Sequence, residues 1–441
     1  MSFSSETLLA TLQDLPTPTG YCVALSGGLD STVLLHAMAV LRESLSVPLR
    51  ALHIDHGIDA DSARWGDHCA ALCADLAIPL DCLRVTLHER KAQGLEASAR
   101  QARYAAFDEA LDAGEMLLSA HHRDDQTETL LLQLLRGGGV HGMAGMPLVR
   151  QLGQAYLARP LLGVARAELL AYAQSQGLRW IEDPSNLDTR LERNYLRHRL
   201  IPQLEQRRAG QAKVLARSAA HFAENAELLD ELAAVDLAAC ADGEALMIPA
   251  LLRRSPARQR NLLRFFVRQA GLPLPDHRRL QAILDDLLPA AADAEPRVSW
   301  PGAELRRYRD RLYAMPPLPA LPEAGWQQEW DGQEVLRLPG GLGDYRLLPQ
   351  QGGLAPSCLQ GQVLTIRLRG GGERLRLPGH AHHASLKTLF QQRGIPPWQR
   401  ARVPLLYLDG VLAQVAGFWT EAAFAVAQGE RGYMLRGMDT Q

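Results

Sequence analysis

Residues Tyr21–Met38 read YCVALSGGLDSTVLLHAM: an apolar run, a glycine turn and a second apolar run at helical spacing. The first run, Tyr21–Leu25, has the length of a buried strand, and the second predicts a helix from Ser31 to about Glu43. Between them stand Ser26, Gly27, Gly28, Leu29, Asp30 and Ser31. Paired glycines let backbone amides turn inward, and the N-terminus of the following helix adds partial positive charge, so the turn is an anion site suited to phosphate. Ser26 and Ser31 can donate hydroxyl hydrogen bonds to the same oxygens, and Asp30 can hold a divalent cation. The spacing and the lysine of a Walker A loop are absent. A plain glycine turn with Ser31 or Asp30 as helix N-cap is the bland alternative. Six matching positions in a strand–turn–helix context favour phosphate.

On the C-terminal side the pattern repeats. Leu49–Ile54, Leu80–Val85 and Met116–Ser119 are further strand-like runs, and Asp61–Leu76, Glu96–Ala113 and Asp125–Arg136 alternate with them as helices. Repeated βα units of this kind predict an α/β domain whose parallel sheet is covered on both faces, with ligands at the carboxyl ends of the strands. After Arg159-Pro160 the signals become helical: Arg166–Gln176, Arg193–Gln206, 211–239, 256–270 and Asp276–Leu288, with a short β element near Val298 and Glu304–Tyr313. Met315–Glu329 reads MPPLPALPEAGWQQE, a Pro-rich linker, and the tail from Gln362 to Arg436 alternates like a small α+β domain. The expected organisation is a parallel-sheet nucleotide-binding domain at 1–213, a mainly helical middle domain at 214–320, a linker at 321–355 and a C-terminal α+β domain at 356–441.

With 441 residues, 47% of them apolar, the chain is long enough for two or three domains. A mean hydropathy of −0.14 and the lack of a long uncharged apolar run exclude a protein that spans membranes by helices. Six cysteines without a CxxC pair make neither a disulfide scaffold nor a zinc site, and no secretory signal is visible at the N-terminus, so a reducing cytoplasm is expected. Net charge is −2, yet Lys91, Lys213 and Lys387 are the only lysines, so 44 of the 47 basic residues are arginine.

Three further motifs carry chemistry. His53-Ile54-Asp55-His56-Gly57 closes the second strand, where His53, Asp55 and His56 are candidates for the nucleotide pocket; a strand-end turn with surface imidazoles is the alternative. Glu96, Arg100 and Arg103 share a helix face, so Arg100 either pairs with its neighbours or reaches phosphate. Ala120–Thr129, AHHRDDQTET, is the densest cluster. Asp125 and Glu128 have capping-box spacing, but two histidines and three carboxylates within eight residues are costly unless a cation or polar substrate uses them. An ammonium group or Mg²⁺ fits.

SGGLDS, from Ser26 to Ser31, resembles the pyrophosphate loop of the N-type ATP pyrophosphatases, the PP-loop ATPases. AHHRDDQTETLLLQLLRGGGVHGMAGM (Ala120–Met146), WIEDPSNLDTRLERNYLRHRLIPQL (Trp180–Leu204) and LKTLFQQRGIPPWQRARVPLL (Leu386–Leu406) are similar to blocks of the tRNA(Ile)-lysidine synthetases. The resemblance implies cleavage of ATP between the α and β phosphates, with Ser26–Ser31 holding phosphates and Asp30 placing Mg²⁺. It implies that the C2 oxygen of the wobble cytidine in a CAU-anticodon isoleucine tRNA is adenylated. Free L-lysine then displaces AMP to give lysidine, which changes codon reading from AUG to AUA and identity from Met to Ile. Asp125 and Glu128 are the candidates to hold lysine, and Arg100 to stabilise phosphate charge. The sequence leaves a homodimer open.

Net charge hides a polarised distribution. Arg190–Arg217 holds eight basic residues against Glu192 and Glu205, while Arg367–Arg402 holds seven arginines and Lys387 against Glu373 alone. Arg193, Arg197, Arg199, Lys387, Trp398, Arg400 and Arg402 are therefore the expected tRNA contacts, with solvated helix faces as the alternative. A tRNA thiolase on the same fold is the main rival, but it needs a CxxC pair or a catalytic cysteine, and Cys69 and Cys73 look like packing residues. A glutamine-dependent amide synthetase lacks a visible glutaminase motif here. A non-catalytic RNA binder would leave the phosphate loop without purpose.

Overall fold

The structure is a computed structural model that describes residues 3–55, 62–85, 95–291 and 294–438; the side chains of residues 62–63 and 95–101 fall outside the description. The chain divides into two compact units, Met1–Glu231 and Leu232–Gln441.

The first unit runs α1 Ser5–Gln13, β1 Tyr21–Ala24, α2 Leu29–Val40, β2 Leu49–Asp55, α3 Ser62–Asp75, β3 Leu80–Arg84, α4 Leu95–Ala110, β4 Met116–Leu118, α5 Arg123–Leu135, α6 Val140–Met143, β5 Val149–Leu152, β6 Ala155–Ala158 and α7 Arg166–Ser175. Its six-stranded sheet has the order β3-β2-β1-β4-β6-β5, parallel throughout except for the β5–β6 hairpin. The strands are short and apolar because both faces are covered. Val23 and Leu118 join the core that holds Leu34, Leu35 and Met38 of α2, whereas their chain neighbours Cys22 and Leu117 turn to Phe107, Leu152 and Leu157. Strand order reverses between β1 and β4, which opens a crevice at their carboxyl ends.

Beyond α7 come the 3-10 turn Pro184–Leu187, α8 Glu192–Tyr195, a π-helical turn Leu196–Leu200, α9 Ile201–Arg207 and the long α10 Gln211–Cys240. Asp183 caps the 3-10 turn by accepting from the Ser185 amide, and Asn194 Nδ2 donates to the carbonyls of Ser185 and Asp188 at 2.9 and 3.0 Å. That buried amide fastens the WIEDPSN segment to the helix behind it.

In the second unit the β element expected near Val298 is a five-stranded antiparallel sheet (241–242, 245–247, 311–315, 303–308, 297–300). It packs with the helices Pro256–Gln269 and His277–Ala282 around Leu262, Phe266, Leu280 and Leu305. The segment expected as a linker is built into sheets. Gln327–Trp330 pairs with Leu364–Arg367, and Gly343–Gln351 pairs with Arg431–Met438 from Asp344–Met438 to Gln351–Arg431. Only its beginning is Pro-rich; alternation resumes at Gln327, and glycines between the short strands disguised it. Among the described residues no helix is long and apolar enough to cross a membrane.

Candidate active site

Two strand ends meet at the crevice. The loop after β1 folds as the glycines require: Gly27 has φ +79°, a left-handed conformation, and a Cβ there would stand 3.2 Å from Cys69 Sγ. Gly28 is the N-cap of α2, so the first amides of that helix have no intrahelical acceptor and face the loop. Ser26 and Ser31 share a hydrogen bond at 3.0 Å, and Ser31 Oγ also donates to the Gly28 carbonyl at 3.1 Å. From far along the chain the Ile181 amide donates to the Gly27 carbonyl at 2.9 Å. Leu29 is buried in the core and anchors the loop rather than facing a ligand.

Opposite the loop, after β4, His122 is 1% exposed and ringed by three carboxylates. Its Nε2 lies 3.6 Å from Asp30 Oδ2 and 3.5 Å from Asp125 Oδ2, and its Nδ1 lies 3.5 Å from Asp124 Oδ2. Burial alone would push the imidazole down, but the carboxylates outweigh it and hold it up at about 10. Burial likewise pushes Asp124 up, but His122 and the Arg166 amide, which donates at 2.8 Å, bring it down to about 2. Asp125 caps α5 by accepting from the His122 amide at 2.9 Å, and against its burial the His122, Arg193 and His121 charges hold it below the usual carboxylate range.

The capping reading of Asp125 is thus right and incomplete. Its Oδ1 also takes Arg193 at 2.9 Å and Arg197 at 3.1 Å, and Glu128, wholly buried, accepts from the Nε of both arginines at 2.6 Å. Beside this cluster lies a cavity of about 230 Å³ lined by Asp124, Glu128, Arg166, Arg197, His198 and Ile201. Asp30 Oδ1, by contrast, is buried without a hydrogen-bond partner. A buried, unpartnered carboxylate oxygen within a phosphate loop fits a divalent cation, and no cluster of three metal-ligating side chains is found among the described residues. A single protein carboxylate is how Mg²⁺ sits beside phosphates, which supply the rest of its shell with water.

The other expected residues divide. His53 is buried and its Nδ1 lies 2.8 Å from the Leu25 carbonyl, so it braces the strand leading into the loop; Asp55 meets Arg84 at 3.3 Å. His56 and the side chain of Arg100 lie outside the described residues. Arg193 and Arg197 were expected on RNA and are instead committed to Asp125 and Glu128. Trp398 and Arg400 also require correction. The indole is 9% exposed and meets Tyr313 edge-on at 5.6 Å, while the 6% exposed guanidinium donates to the Ile395 carbonyl at 2.6 Å and to Tyr308 Oη at 2.8 Å. Arg402 is half-buried against the Pro319 carbonyl. Arg199 and Lys387 are exposed. Asp124, Arg166 and Ile181 were not singled out; the first acid of the RDD triplet and the WIEDPSN block were the available signals.

Known proteins match this chain along most of its length. A PP-loop domain family matches residues 2–204, a TilS substrate binding domain matches 246–313, and a TilS substrate C-terminal domain matches 364–436. The tRNA(Ile)-lysidine synthase of Alkalilimnicola ehrlichii is 45% identical over 97% of this chain and 96% of its own. Those of Coxiella burnetii and Methylococcus capsulatus are each 42% identical, over 98% and 92% of this chain and 96% and 93% of theirs.

Proposed function

Because the chain belongs to the tRNA(Ile)-lysidine synthase family of ATP-dependent ligases, we propose that it joins free L-lysine to C2 of the wobble cytidine in CAU-anticodon tRNA(Ile). The phosphates of ATP rest on the first amides of α2 and on the hydroxyls of Ser26 and Ser31. Asp30 would hold Mg²⁺ there, and the ion would offset charge on the leaving pyrophosphate. The cytidine O2 attacks the α-phosphorus and pyrophosphate departs. An amine of lysine then adds at C2, loses a proton and expels AMP. Arg100 is assigned to the phosphate charge that develops in the first step.

The observation that supports this most is the joint lining of the cavity beside Glu128. Carboxylates from Asp124 and Glu128 suit ammonium groups, and Arg166 and Arg197 suit a carboxylate, so the set matches a free basic amino acid. Asp125 bridges this cavity's wall to His122 and, through it, to Asp30. The carboxylates around His122 raise its pKa, which favours a role as counter-charge over one as general base. The thiolase alternative loses ground on the same physics. Burial pushes the Cys22 and Cys69 thiols up to about 12 and Cys73 to about 11, far from a thiolate nucleophile. Arg199 and Lys387 remain assigned to tRNA.

Purified protein with ATP, Mg²⁺, labelled lysine and CAU-anticodon tRNA(Ile) tests the reading. Label is expected in this RNA with AMP and pyrophosphate released; no label, or equal label in methionine tRNA, overturns it.

A further inference from the structure

The helix that carries Arg193 and Arg197 has a second face. Tyr195 lies midway between the two arginines, on the opposite side, and is 53% exposed. One turn earlier Leu191 is 45% exposed, and Leu187, at the end of the preceding 3-10 turn, is 72% exposed. The last turn of α5 adds Leu135, also 72% exposed, next to the Arg136–Glu192 ion pair of 2.6 Å that ties α5 to α8. Large apolar side chains left exposed on neighbouring turns point to a binding surface.

Charge decides what binds. From Leu187 to Arg217 the acids are Asp188, Glu192 and Glu205. Asp188 grips Arg190, Glu192 grips Arg136, and Glu205 accepts the Gly210 and Ala212 amides at 2.7 and 2.6 Å. Arg199, Arg207 and Arg208, further along the same stretch, are exposed. A second copy of the chain, meeting this face by a two-fold axis, would set arginine against arginine. An aromatic ring with aliphatic flanks and a cationic rim is instead the composition of a platform for unpaired RNA bases.

Resting on the tRNA reading above, we propose that Tyr195, flanked by Leu191 and Leu187, stacks an unpaired base of the anticodon loop that neighbours the reacting cytidine. Tyr195 is a positioning residue: its helix touches Asp125 and Glu128 through Arg193 and Arg197, so a base held on one face fixes the loop relative to the other.

The test uses the full-length protein and its Tyr195→Ala and Tyr195→Phe variants. In the lysine-labelling assay Tyr195→Ala is expected to raise KM for tRNA about tenfold or more, with kcat and the KM values for ATP and lysine little changed. Tyr195→Phe is expected to behave as the parent, because the ring rather than the hydroxyl does the stacking. Separately, an anticodon stem-loop RNA carrying 2-aminopurine beside the wobble position should be quenched on binding the parent and Phe proteins and not the Ala protein. An unchanged KM and quench in Tyr195→Ala overturns the platform, as does a change of oligomeric mass in that variant, which would assign the face to a second copy. Absence of lysidine with the parent protein would sink the proposed function instead, and the stem-loop quench would still decide the platform.

Discussion

Glu128 and Asp236 are both almost inaccessible carboxylates, 0% and 1% exposed, and each meets two arginines. Around Asp236 nothing is left over. Its Oδ1 takes Arg254 at 2.7 Å, its Oδ2 takes Arg258 at 2.8 Å, and Arg258 foremost holds it below the usual carboxylate range. This is a fastening between α10 and the helix that starts at Pro256. Around Glu128 the same pairing sits beside a cavity, an imidazole among three acids, and the bare oxygen of Asp30. An ion pair in itself therefore says little about function. What separates a site from a strut is unspent bonding capacity next to open volume.

The largest effect should come from Asp30→Ala. AMP formation is expected to fall about 10²–10³-fold, with tRNA binding unchanged, measured by AMP release and filter binding; retained turnover would make Asp30 no different from Asp236. Next, Asp236→Asn should do the reverse. Thermal unfolding is expected to show a loss of about 1–3 kcal/mol, with kcat per folded molecule intact; a catalytic loss at full stability would erase the distinction. The smallest effect is in pH. The His122 pKa is raised from 6.5 to about 10, so its contribution to stability is complete below 6.5 and is lost as pH rises through 10. Asp124, lowered from 3.8 to about 2, contributes above 3.8 and loses its contribution as pH falls through 2. A His122→Gln variant should therefore be more destabilised, relative to the parent, at pH 6 than at pH 9.5 in urea unfolding. An equal deficit at both pH values would mean that the imidazole is not held as a cation.

What could be read from the sequence was what is local. Ser26–Ser31 declare themselves because strand, glycines and helix are adjacent in the chain, and the βα alternation follows from short-range periodicity. Asp125 announced its cap for the same reason. Its arginine partners, by contrast, come from 68 and 72 positions away and were read as RNA contacts, because a charge run does not say which members face inward. Trp398 and Arg400 failed identically: an aromatic and a guanidinium in a basic stretch look like an RNA surface until Tyr308 and Tyr313 are folded against them. Strands at 327–351 were hidden by prolines and glycines that mark turns as readily as linkers.

The hydrogen bond from Ile181 to Gly27 has a consequence for synthesis. As the chain leaves the ribosome, the six-residue phosphate loop is made early, but its closing donor is made some 150 residues later. The nucleotide loop is thus braced only after about three-quarters of the first unit, Met1–Glu231, exists. A nascent or truncated chain that ends before residue 181 leaves the Gly27 carbonyl to water and the loop unbraced. The signature by which this protein is recognised is short; the smallest piece of it that binds ATP as the whole does is not.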